Sequence, residues 1–241
     1  MNCTFTHNSS TYGGGALAVR GACDINGCVF QGNFADNGGA LISRSYGETA
    51  TVQNCTFSDN TANTGGACDL WDCLITRSIF LNNSASLGGG IYGVNVQLEN
   101  SVLAYNYGHL GGGLVAQDAN LMNCTVVHNE ATFGGAALYH NEPGFCQIIN
   151  SIFWFNGNNS IHSNFPSEVM LTYSNCEDFW SGVTNISENP LFISDIDFHL
   201  TLDSPCIDSG THQNAPGQDL DGVFRPQGGS PDIGAYEFPF G

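Results

Sequence analysis

The chain contains no lysine, and its only strong cations are Arg20, Arg44, Arg77 and Arg225. Against them stand 22 Asp and Glu, giving a formal net charge of −18 over 241 residues. That shortage excludes nucleic acid and anionic membrane surfaces as partners, because both require Lys and Arg to neutralise phosphate. It fits solubility in a salty or extracellular setting, a cation-rich partner, or bound calcium. Long apolar runs are missing too, none approaching the about 18 residues of a membrane-spanning helix. The opening MNCTFTHN lacks the basic and apolar regions of a signal peptide. It starts inside a phrase that recurs later, so the expectation is a trimmed precursor or a partial gene product. The seven His include no i, i+4 pair and no Ser-His-Asp signature, which leaves nucleophilic catalysis without support.

What the chain does have is repetition. NCTFTHNSSTYGGGAL opens at Asn2, NCTFSDNTANTGGACDL begins at Asn54 and NCTVVHNEATFGGAAL at Asn123. Position zero, set at the small residue after that first Asn, gives Cys3, Cys28, Cys55, Ser78, Ser101, Cys124 and Ser151, 23 to 27 residues apart. Two places later stand Phe5, Phe30, Phe57, Phe80, Leu103, Val126 and Phe153. Five places later there is always Asn: Asn8, Asn33, Asn60, Asn83, Asn106, Asn129 and Asn156. Glycine pairs follow, from Gly13-Gly14 and Gly38-Gly39 to Gly134-Gly135.

Small or apolar residues two apart precede position zero, as in Cys23 and Ile25, Cys73 and Ile75, or Val96 and Leu98. A further pair follows the glycines, as in Leu41 and Ser43 or Leu114 and Ala116. Period two is the mark of a strand with one buried face. A unit of three short strands cannot bury its own apolar face, whereas stacked copies can. The expected fold is therefore all-β, a parallel β-helix of about seven to eight coils over residues 1–176. The Asn residues read as ladders and the glycines as bends. A last coil, EVMLTYSNC, places Leu171, Tyr173 and Cys176 inward and Asn175 in the Asn slot. Residues 177–241 are turn-rich and unrepeated, and read as a C-terminal cap packed on the solenoid. The N-terminal coil has no such cap, so it is expected to fray, meet an upstream segment or stack on another chain.

These residues carry a resemblance. FQGN…GGAL and FSDN…GGAC are similar to the repeats of chlamydial-type polymorphic outer-membrane proteins, which are surface-displayed right-handed β-helices, many of them adhesins. The run TYSNC…NPLF…DFHL…SPCIDSGT…DLDG…RP…PDIGAYEF resembles the closing segment of bacterial secreted, pectate-lyase-like right-handed β-helix proteins. The resemblance implies a right-handed β-helix and an extracellular or cell-surface location. It does not choose among lyase, hydrolase, adhesin and ice binder.

Lyases on such a fold typically need Arg or Lys near the substrate and Asp-bound calcium. Arg20 and Arg44 follow the glycines one residue apart in repeat register, with no carboxylate cluster expected around them. Arg77 reads as a turn cap, and Arg225 as a partner of Asp219 or Asp221. Glycoside hydrolysis needs two carboxylates about 5–10 Å apart. Asp24, Asp69 and Asp72 occupy different repeat positions and read as solvated turn residues. DLDG is not an EF-hand start, which leaves calcium at Asp219 and Asp221 as the one cofactor candidate.

Ten cysteines suggest disulfides in an exported protein. Cys3, Cys28, Cys55 and Cys124 interchange with Ser in the repeat, and Cys23, Cys73 and Cys146 with Ala and Val, as small core residues do. The expectation is free buried thiols, with Cys176–Cys206 the exception. The C-x4-C spacings of Cys23/Cys28 and Cys68/Cys73 match no structural zinc site. Seven N-x-[ST] sequons, at Asn2, Asn8, Asn54, Asn82, Asn123, Asn158 and Asn185, are mostly by-products of the repeat.

The outward slots beside position two hold no charge: Thr4/Thr6, Val29/Gln31, Thr56/Ser58, Ile79/Leu81, Val102/Ala104, Thr125/Val127 and Ile152/Trp154. Such a face should be covered or should bind something. One reading packs the cap or a second chain there. Another meets carbohydrate or a host surface through Thr4, Thr6, Thr56, Ser58, Thr125 and Trp154, and a third is an ice-binding plane. The function expected is an adhesin-like or carbohydrate-facing binding scaffold without catalysis. The alternatives are a polysaccharide lyase or glycoside hydrolase, and a structural solenoid that self-associates through its first coil or this face.

Overall fold

The computed structural model describes residues 2–44, 47–157, 159–178 and 180–239. Three sheets of short strands run the length of a parallel β-solenoid. The first has eight strands, from Thr4–Thr6 and Val29–Gln31 in sequence order to Ile152–Trp154 and Asn175–Cys176. The second has five, from Phe34–Asn37 to Glu130–Gly134, and the third has twelve that complete each turn. The expected parallel β-helix is what the chain forms.

Corners between sheets are left-handed. The residues just before position zero, such as Asn54, Asn100, Asn123 and Asn150, have φ between 45° and 51°. Those four places after it, including Asp59, Tyr105, His128 and Phe155, are left-handed too, at 53° to 57°. Asn, Asp and His tolerate this region better than most residues. Glycine becomes obligatory at the third corner. Gly65 has φ +63°, and a Cβ on Gly66 would lie 2.0 Å from the Gly89 carbonyl oxygen one turn away.

Inside, Phe5, Phe30, Phe57 and Phe80 stack face to face at 4.9, 4.6 and 4.8 Å, one ring per turn. The fifth-place Asn form the expected ladder. Asn83 Nδ2 donates to Asn106 Oδ1 at 3.0 Å, and Asn106 Nδ2 to Asn129 Oδ1 at 2.9 Å, all buried.

Two register expectations change. An extra residue before the first glycines aligns Gly14 rather than Gly13 with Gly38, so Arg20 and Arg44 face each other as strand partners. In the last coil Ser174 holds position zero, because Ser151 N–H donates to its Oγ. Tyr173 is therefore the left-handed corner residue, not a core one, and Asn175 points outward opposite Ile152.

Among the described residues no two cysteines form a disulfide. The Cys176–Cys206 bridge fails because Cys176 faces the solenoid interior, whereas Cys206 lies on the outer side of the first sheet. Of the sequons, Asn158 lies outside the described residues.

The closing segment does two things. Its first part lies across the final coil, with Cys176 N–H bonded to Ile186 O at 3.1 Å and Trp180 against the core. The rest turns back along the outer face of the first sheet, where Phe198, Leu200, Cys206, Ile233 and Ala235 bury Val102, Ala104, Val127, Ile152 and Trp154. Corner asparagines anchor it: Asn123 Nδ2 donates to Asp232 O and Asn150 Nδ2 to Thr211 O, at 2.9 and 2.8 Å. Arg225 is fully buried and bonds Glu237 Oε2 at 2.6 Å, rather than Asp219 or Asp221.

Candidate functional site

The uncharged outward face is divided by this cover. Thr4 and Thr6 are exposed and Thr56 and Ser58 partly so. Thr125 is 1% exposed, its Oγ accepting Ala235 N–H, and Trp154 is 8% exposed under the closing segment. The indole therefore has no open face for a sugar, and the six residues do not form one surface. Apolar side chains on a parallel sheet were filled by the protein's own chain, the cheapest source of apolar area.

The calcium candidates are engaged elsewhere. Asp219 is buried and its carboxylate accepts the backbone N–H groups of Asp221, Val223 and Glu237 at 2.8 to 2.9 Å. Asp221 instead accepts from His199 Nε2 at 2.9 Å, while Asp197 holds His199 Nδ1 at 2.6 Å and Tyr236 lies against the ring at 4.0 Å. The two carboxylates thus take different partners.

A different place gathers recognition chemistry. The second and third sheets meet at an angle, and in the first coils that angle holds a pocket of about 510 Å³. One wall carries Tyr12, Gly13 and Asn37; the other carries Ala18, Val19, Arg20, Ile42 and Arg44. Period two explains the second wall: Leu17 and Leu41 point inward, so Ala18, Ile42 and the two arginines point out. Tyr12 is 84% exposed.

Arg44 is fixed from behind. Its Nη1 and Nη2 reach Asp69 Oδ1 and Oδ2 at 2.5 and 2.6 Å, and its guanidinium lies 4.5 Å from the Trp71 ring centroid. Asp69 is 1% exposed, so the expectation of a solvated turn residue is wrong. It is an outward strand residue covered by its neighbours. Burial pushes its carboxyl up, and the Arg44 guanidinium partly offsets that. A bidentate pair of this kind orients the guanidinium plane. Asp24 is exposed, and Asp72 occupies a left-handed corner where it accepts from Asn95 Nδ2 at 2.7 Å.

Farther along the same outward row stand Tyr92, Val115, Tyr139 and His162, with the Tyr139 and His162 rings stacked at 5.0 Å. Sequence reasoning missed this row. The signal was present in the strand after each glycine pair, but only the inward half of its alternation was read. Among the described residues no carboxylate lines the pocket.

Comparison with known families matches residues 1–153 to the right handed beta helix region. No curated protein and no solved structure matches the chain.

Proposed function

The chain belongs to the right-handed β-helix family, and on that scaffold we propose an exported, surface-associated protein that binds carbohydrate without catalysis. The ligand lies in the angle between the second and third sheets. The pocket shared by Tyr12, Asn37, Arg20 and Arg44 carries this reading. Sugars offer apolar C–H faces for an aromatic ring and hydroxyls for planar polar side chains. Tyr12 supplies the first, and the Asn37 amide and two guanidinium groups the second. In a chain of net charge −18, two of four arginines meet here, which favours a saccharide bearing anionic groups. The similarity of the repeats to those of surface-displayed adhesins supports the location.

Catalysis is disfavoured by the carboxylates. Hydrolysis needs two of them flanking one bond, and Asp69, behind the pocket, is buried and held by Arg44. One observation favours a lyase as the second reading: Arg20 and Arg44 are in-register cations of the type that could act on a uronate. A glycan panel separates the two. Immobilised acidic glycans should retain the protein, and Arg20→Gln or Tyr12→Ala should weaken retention about tenfold. Arg44→Ala is a poor probe because it strands the buried Asp69. Product release from any uronan, with or without calcium, would overturn the non-catalytic reading. Absence of retention on every glycan would overturn the binding reading.

A further inference from the structure

A second cleft, which shares no lining residue with the first, lies at the seam between the solenoid and the closing segment. Thr76, Arg77, Glu99 and Asn100 form its solenoid wall; Pro216, Gly217, Gln218 and Phe224 form the other, around about 360 Å³. Arg77 sits at a left-handed corner, which throws its side chain outward; one turn on, Asn100 occupies the equivalent corner and Glu99 precedes it.

The charges in this cleft are not matched. Among the described residues, Arg77 has no carboxylate oxygen within 4.0 Å, and the one hydrogen bond of its side chain, Nη1 to Gln218 Oε1, is long at 3.5 Å. Glu99 is half-buried and among the described residues has neither a cation within 4.0 Å nor a side-chain hydrogen bond, and burial pushes its carboxyl above the ordinary 4.5. Asn100 is 3% exposed, and its Oδ1 meets no donor although its Nδ2 bonds Gln218 O at 2.7 Å. Arg44 and Arg225 are each paired with a carboxylate, at 2.5 and 2.6 Å, which Arg77 is not. Partly desolvated charges are costly unless a counter-charge meets them. Here a cation and an anion line one small cavity without meeting each other, and the complement of that arrangement is a molecule with both signs of charge.

We infer that this cleft binds a small zwitterion of the α-amino-acid type, its carboxylate on Arg77, its ammonium on Glu99, and its side chain against Phe224. The Phe224 ring is 68% exposed and closes the seam side. A bound amino acid would bridge solenoid and closing segment, so occupancy also strengthens their attachment. The site is separate from the saccharide pocket and does not depend on that reading.

L-Leucine is the probe, with the full chain, by calorimetry and thermal melting. Saturable binding is expected, with a rise in melting temperature. Isocaproate, which lacks the ammonium, and isoamylamine, which lacks the carboxylate, should each bind at least about tenfold more weakly. Arg77→Gln and Glu99→Gln should each lose about tenfold in affinity. Glu99→Gln removes an uncompensated carboxylate and so is expected to fold at least as stably as the parent. No saturation well above about 1 mM, isocaproate binding as tightly as leucine, or undiminished affinity in Glu99→Gln would each overturn the inference.

Discussion

Asn106 shows how a single side chain is used in this fold. Its Oδ1 accepts both the N–H and the Nδ2 of Asn83 at 3.0 Å, and its Nδ2 donates to Phe80 O and to Asn129 Oδ1. All these groups are buried, so removing the amide leaves donors and acceptors without water or partner. Asn106→Ala should therefore cost at least about 2 kcal/mol, more than an ordinary buried hydrogen bond is worth. Denaturant midpoints at unchanged slope would measure it, and a loss within a few tenths of a kcal/mol would mean that the ladder is redundant. The identity of this residue was legible because five-place Asn recurs in every repeat. The role of Asp69 was not. Nothing in GACDL distinguishes a turn carboxylate from one buried under Arg44, because the partner comes from a strand 25 residues earlier.

At the scale of the element, period two made the strands readable but not their covers. A strand presents one face to the core and one away from it, and sequence alone gives no instruction about what meets the second. In the first sheet the closing segment meets it, which turns the supposed binding face of Thr125 and Trp154 into a second core. Trp154→Ala should then destabilise by about 3–5 kcal/mol, as a buried aromatic does. An exposed platform residue would lose only ligand affinity. Urea unfolding of that variant, without any glycan, decides between the two. Strand register slipped in the first and last coils for a related reason. A one-residue insertion before Gly14, or a corner filled by Tyr173 instead of Asn, leaves the letter pattern nearly unchanged while shifting the residues beside it by one place.

For the whole molecule, acidity is the first consideration. Burial pulls the His199 imidazole down, but its bonds to Asp197 and Asp221 outweigh this and leave it above the ordinary 6.5. Its contribution is thus complete below pH 6.5 and is lost as pH rises through the raised value. Asp197, lowered from 3.8 chiefly by its bond from His199, contributes above 3.8 and loses that as pH falls through its lowered value. Asp232, pushed by burial up to about 6, adds to the same trend, since ionising it costs stability as pH rises from 3.8 through that range. The stability lost in His199→Gln should be larger at about pH 5.5 than at about pH 8.5. Paired urea titrations at the two values test it, and an equal loss at both would show that the Asp–His–Asp contact carries no ionic component.

The sequence by itself determined the coil: the recurrence of Phe, Asn and Gly-Gly at fixed offsets demands in-register stacking, because no single repeat can bury its own face. It also determined the charge balance and the small core character of the seven repeat cysteines, whose interchange with Ser, Ala and Val needs no third dimension. Only the tertiary structure decided which outward surfaces remain open. That choice depends on contacts between residues over a hundred positions apart, such as Ala235 with Thr125, and on strands such as those of Arg20 and Arg44, whose side chains share a pocket only once two turns have been laid one upon the other.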